Sequence, residues 1–111
     1  MSAQVKTAIA DGLRPYATVT SAWGFGSFFR SERHQDIDVL VVVRVSEERL
    51  LKTARDLRAA LLEVEQKIGV PIDPLILTEA EFDSRPLRDM DELVRINLIN
   101  QPAVNSSRSR R

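Results

Sequence analysis

The 111-residue chain contains no cysteine. That removes disulfides, thiolate nucleophiles and zinc-thiolate centres together, and it fits a reducing compartment. There is no excess of either charge, with 16 basic residues against 16 acidic ones. Without a net field to gather a polyanion, nucleic acid is not expected as a stable partner, and any anion binding must come from local placement of charge. Long apolar runs are also missing. The longest, Val39–Val43, is far short of the ~20 residues needed to cross a bilayer. Residues 1–10 hold no apolar stretch of signal-peptide length, so the expectation is a cytoplasmic protein without membrane contact. Carboxylates and a single histidine are the chemistry that remains. The length suits a single domain with one core, expected over residues 1–104, followed by a disordered basic tail at 105–111 carrying Arg108, Arg110 and Arg111.

Apolar periodicity divides the domain. Val5, Ala8, Ile9, Leu13 and Tyr16 recur at helical spacing, with Gly12 and Pro15 as breakers, which predicts a helix over about residues 3–14. Residues 17–25 are rich in β-branched and aromatic side chains and read as a strand ending at the glycines Gly24 and Gly26. Residues 36–45 form a second strand, whose continuous apolar part predicts cover on both faces and a central place in the sheet. Leu50, Ala54, Leu57, Leu61, Val64 and Ile68 then step by four and three, with Glu47 and Glu48 in the first turn and Gly69 closing the run. This predicts a helix of about 22 residues, roughly 33 Å long. Its stripe could be a dimer seam, but a face packed on the sheet is the commoner use.

Residues 70–77 return to strand, and Pro71 and Pro74, which cannot donate to a ladder, argue for an edge or a short pairing. Thr78 and Glu81 have the spacing of a capping box. Leu87, Met90, Leu93, Val94 and Leu98 predict a last helix to about Asn100. The order helix, strand, strand, helix, strand, helix defines an α/β (α+β) fold, with a small mixed sheet flanked by helices. The short connection between the first two strands makes them an antiparallel pair.

Asp36 and Asp38 are two residues apart at the start of the second strand, so both project to one face. Paired acids there suit a hard divalent cation bound through oxygen, although spacing alone is equally consistent with two solvated acids at a strand mouth. A third acid, Asp73, opens the next apolar strand, and three such acids could hold two Mg²⁺ ions. Gly24-Phe25-Gly26-Ser27 offers backbone N–H groups and a hydroxyl where the first strand ends, and Arg30 adds a positive charge nearby, although a glycine pair between two strands is by itself more often an ordinary turn. His34, the lone histidine, reads as a solvated loop side chain. Trp23 and Phe25 could stack on a base, but are more simply core or cross-strand packing. Phe28 and Phe29, adjacent in a loop, are not easily both buried, so one of them is expected to mark a contact surface.

The run Gly26-Ser27-Phe28-Phe29-Arg30, followed by Asp36-Ile37-Asp38-Val39-Leu40-Val41-Val42, resembles the Gly-Ser and Asp-x-Asp signature of the DNA polymerase beta nucleotidyltransferase superfamily, and most closely its minimal nucleotidyltransferases. Ile72-Asp73-Pro74-Leu75-Ile76-Leu77-Thr78 is similar to its third-acid strand. The resemblance spans about residues 17–82. It implies Asp36, Asp38 and Asp73 as ligands of two Mg²⁺ ions, and Gly26 and Ser27 on the β and γ phosphates of an NTP. Arg30 would be the basic residue after the Gly-Ser pair. Ser31 stands where the family usually has glycine, and the connection of residues 28–35 is shorter than is usual there.

The implied activity is transfer of a nucleoside monophosphate, AMP from ATP in the first instance, with release of pyrophosphate. One domain leaves little room for an acceptor pocket, so a hydroxyl of a partner protein is the expected acceptor. Family members of this size resemble the antitoxin half of toxin-antitoxin pairs, whose partner is a HEPN-type toxin. Two other readings stand beside this one. The short loop could have cost activity and left a partner-binding module, or the product could be a nucleotide signal or short oligonucleotide. Oligomerisation is compatible with either.

Overall fold

The computed structural model describes residues 3–25, 37–84 and 93–98. Along the chain these form α1 (Ala3–Leu13), β1 (Val19–Phe25), β2 (Ile37–Val43), α2 (Glu47–Ile68), β3 (Ile72–Thr78), α3 (Glu79–Ser84) and β4 (Val94–Arg95). The strands make one mixed sheet in the order β3-β2-β1-β4. β1 runs antiparallel to β2 and to β4, whereas β2 and β3 are parallel and joined through α2. A parallel pair needs such a crossover, and a helix of 22 residues supplies it. No helix among the described residues is long and apolar enough to cross a membrane.

β2 lies between β1 and β3, and its alternation separates the two faces of the sheet. Ile37, Val39, Val41 and Val43 enter the main core with Ile9 and Leu13 of α1 and Leu57, Leu61 and Val64 of α2. Leu40 and Val42 point the other way, into a smaller cluster with Trp23, Leu75, Leu77, Phe82 and Leu93. Apolar cover on both faces explains why this strand reads as a continuous hydrophobic run. The stripe on α2 is thus core, as its spacing indicates.

The ends of the elements follow local rules. Gly69 closes α2 with φ of 75°, and its N–H donates to the Glu65 carbonyl. That left-handed conformation is open to glycine at little cost. The Thr78 N–H donates to Glu81 Oε1 at 2.9 Å and the Glu81 N–H to Thr78 Oγ1 at 3.1 Å, completing the expected capping box of α3. β3 is an edge strand, where Pro74 breaks no interior ladder. Its first residue is fastened to α2 by the Ile72 N–H, which donates to Glu65 Oε1 at 2.8 Å.

Two expectations fail in the described part. Gly12 does not break α1 but lies inside it, where a Cβ would come within 2.5 Å of Val64 Cγ2. Glycine is there for the close approach of α1 to α2. The helix expected up to Asn100 gives way at Val94–Arg95 to β4, which pairs Trp23 with Arg95 and Gly24 with Val94. Ile96 beyond it is buried in the main core, with Val94 and Leu98 packed alongside. β4 supplies backbone partners to β1, which would otherwise be the edge of the sheet, and this tertiary gain overrides a spacing that also fits a helix. The tail at 105–111 and the rest of that predicted helix, residues 87–92 and 99–100, lie outside the described residues.

Candidate active site

The parallel register of β2 and β3 sets Asp38 directly beside Asp73. Adjacent strands are about 4.8 Å apart, so the two acids leave the backbone side by side. Each is the second residue of its strand, and alternation aims both at the face opposite α1 and α2, in line with Leu40 and Leu75 one step further along. Asp38 is half-buried and Asp73 exposed. Phe25, the last residue of β1, is opposite Asp38. The acids therefore lie at the end of the sheet where β1 finishes and β2 and β3 begin.

The adjacency has a local cause. Ile37 and Ile72 are both buried in the main core, and the Ile37 N–H donates to the Pro71 carbonyl at 2.9 Å. Anchoring both isoleucines on the core side turns each following residue to the opposite face. A slip of one residue would bury an aspartate under α2.

Of the residues singled out in the sequence, the structure brings Asp38 and Asp73 together. Asp36, Gly26, Ser27, Arg30, His34, Phe28 and Phe29 lie outside the described residues. Gly24 is not part of an exposed phosphate loop as expected; it is buried within β1, between Val39 of β2 and Val94 of β4. The chemistry of the pair fits a hard cation. Two carboxylates contribute oxygen donors of the kind Mg²⁺ takes.

One row further into the same face sits a group that the sequence reading assigned only in part. Trp23 packs beside Leu40 and stacks on Phe82, with ring centroids 6.0 Å apart and planes at 24°. Its indole Nε1–H donates to Ser21 Oγ at 3.0 Å, which fixes the ring. Arg95 of β4 lies over it, the guanidinium carbon 5.2 Å from the ring centroid. The packing role expected of Trp23 holds, but Phe82 and Arg95 went unread. A signal for Arg95 was present, since Val94, Ile96 and Leu98 alternate with Arg95 and Asn97.

At the far end of the sheet Arg44 meets Glu79 through Nε–Oε1 at 2.9 Å and Nη2–Oε2 at 3.3 Å. The Arg44 hydrogen bond is the main cause that holds the Glu79 carboxyl below its usual range. Glu79 likewise raises Arg44.

Comparison with known proteins places this sheet in a family. Among solved structures, a candidate nucleotidyltransferase from Sulfolobus solfataricus superposes with a TM-score of 0.55 at 19% sequence identity, covering 83% of this chain and 76% of that one. At that identity the likeness is one of fold. No curated protein sequence matches the chain. The sequence model of the nucleotidyltransferase domain matches residues 6–98, from α1 to the residues just beyond β4. The chain therefore belongs to the nucleotidyltransferase domain family.

Proposed function

We propose that this domain is a Mg²⁺-dependent nucleotidyltransferase that moves a nucleoside monophosphate, AMP from ATP, onto a hydroxyl of a partner protein. The observation that carries the reading is the register that sets Asp38 beside Asp73 on the face of a nucleotidyltransferase sheet opposite α1 and α2. Asp38, Asp73 and Asp36 are the residues that would hold the metal, and Gly26, Ser27 and Arg30 those that would hold the β and γ phosphates. When bound, Mg²⁺ supplies charge neutralisation on the triphosphate and eases ionisation of the attacking hydroxyl.

The acceptor oxygen forms a bond to the α phosphorus, and the bond from that phosphorus to the α–β bridging oxygen breaks, so that pyrophosphate leaves. Asp73, the more exposed acid, would take the hydroxyl proton on a carboxylate oxygen. A protein acceptor suits a small sheet whose acids sit at an open end. In that role the domain would be the cytoplasmic antitoxin to a HEPN-type toxin.

The test is incubation with NTPs labelled at the α phosphate, Mg²⁺ and the product of the neighbouring gene. Label on the partner protein, with ATP preferred, is the expected result. Label in a free oligomer would instead make it a nucleotide synthase, and a stable complex without transfer would make it a binding module.

A further inference from the structure

We propose that Arg95, laid over Trp23, is the platform on which the base of the bound nucleotide rests. This deepens the nucleotidyltransferase reading and depends on it. The row Arg95–Trp23–Leu40 adjoins the pair Asp38–Asp73 on the same face, two residues or about 7 Å along the strands. A nucleotide whose phosphates lie at the acids must send its nucleoside a distance of this order.

What it meets in this direction suits a flat, partly apolar ring. Trp23 and Phe82 form a stacked pair with Leu75 and Leu77 beside them. Past them, on the same face, opens a cleft of about 310 Å³ lined by Ser21, Val42, Phe82 and Asp83, among others. Arg95 is exposed and makes no ion pair among the described residues, so its guanidinium is a planar group free on its outer side. The indole beneath it and the hydrogen bond from that indole to Ser21 set its place. A guanidinium is planar and can stack on a base as an aromatic ring does, which a lysine ammonium cannot do.

Binding of ATP and of tripolyphosphate, a probe without a base, is measured by calorimetry with Mg²⁺ present. Trp23, the only tryptophan in the chain, gives a parallel fluorescence signal. Arg95→Ala is expected to weaken ATP about tenfold and leave tripolyphosphate unchanged, at an unaltered unfolding midpoint. Arg95→Lys keeps the charge and loses the plane; it carries the same test should the alanine variant fold poorly, with ATP weakened and tripolyphosphate unaffected. ATP affinity unchanged in both variants overturns the proposal, and so does a matching loss for tripolyphosphate, which would make Arg95 a phosphate ligand. Wild-type protein that binds neither probe overturns the nucleotidyltransferase reading itself, and this inference with it.

Discussion

Replacing Gly12 by alanine places two opposing effects on one methyl group. Alanine is the better helix former by up to about 1 kcal/mol, and less than that here, because Gly12 is the penultimate residue of α1. Against this, the new Cβ would stand 2.5 Å from Val64 Cγ2, whereas carbon atoms pack at about 3.5–4.0 Å. Val64 is only 4% exposed and β-branched, so its methyl has little freedom to turn aside. Helices α1 and α2 must separate by a good part of an ångström, and overpacking of this kind costs about 1–3 kcal/mol.

The clash wins, and Gly12→Ala should destabilise the domain by about 1–2 kcal/mol, read as a drop in thermal midpoint of roughly 5–10 °C. Val64→Ala alone should cost about 2–3 kcal/mol by leaving a cavity. Combined, the two changes should cost less than their sum by at least about 1 kcal/mol, because the new methyl then enters vacated space. Urea unfolding of the four proteins measures the cycle. A neutral or stabilising Gly12→Ala, or strict additivity, would refute close approach as the reason for this glycine.

Further outcomes follow from other parts of the molecule. Mg²⁺ at ten times its dissociation constant should stabilise the wild-type fold by about 1.4 kcal/mol in urea titrations, and chelation should abolish the effect; Asp38→Asn with Asp73→Asn should lack it. Gly69→Ala should cost about 1 kcal/mol through its φ of 75°, since nothing lies within 4 Å to obstruct the methyl. Thr78→Ala should cost about 1 kcal/mol by opening the capping box, measured by urea unfolding. The Glu79 carboxyl titrates below its unfolded value because Arg44 bonds the ionised form. The stability it adds is therefore present above the ordinary carboxylate range and lost as the pH falls through the lowered folded value, so Glu79→Gln should flatten the acid limb of the stability profile. Arg44 is raised, so its share is complete below the ordinary arginine range and adds no slope to that limb.

Much of this arrangement was legible because its causes are local. The apolar run of β2, the four-three stripe of α2 closed by Gly69 and the Thr78–Glu81 box each report their own surroundings, and each appears at its expected place. Features set by distant pairing were less accessible. Alternation along one strand indicates which face Asp38 takes, but its adjacency to Asp73 is fixed by the register across a crossover of 22 helical residues. β4 was hidden for the same reason, since residues 93–98 satisfy a helical spacing until β1 provides a partner. Gly12 misled because a glycine near a helix end has two uses, and only the neighbouring helix decides between them. The Arg95–Trp23 contact joins residues far apart in the chain, which no window on the sequence contains.

The central claim is that Asp38 and Asp73 act together as the acids of nucleotidyl transfer. Pyrophosphate release and label transfer from α-labelled ATP in Mg²⁺, measured for wild type, Asp38→Asn and Asp73→Asn with the partner protein present, test it most directly. Each substitution should lower the rate by more than about 100-fold while the unfolding midpoint and partner binding persist. Transfer that continued at the wild-type rate in either variant would contradict the account.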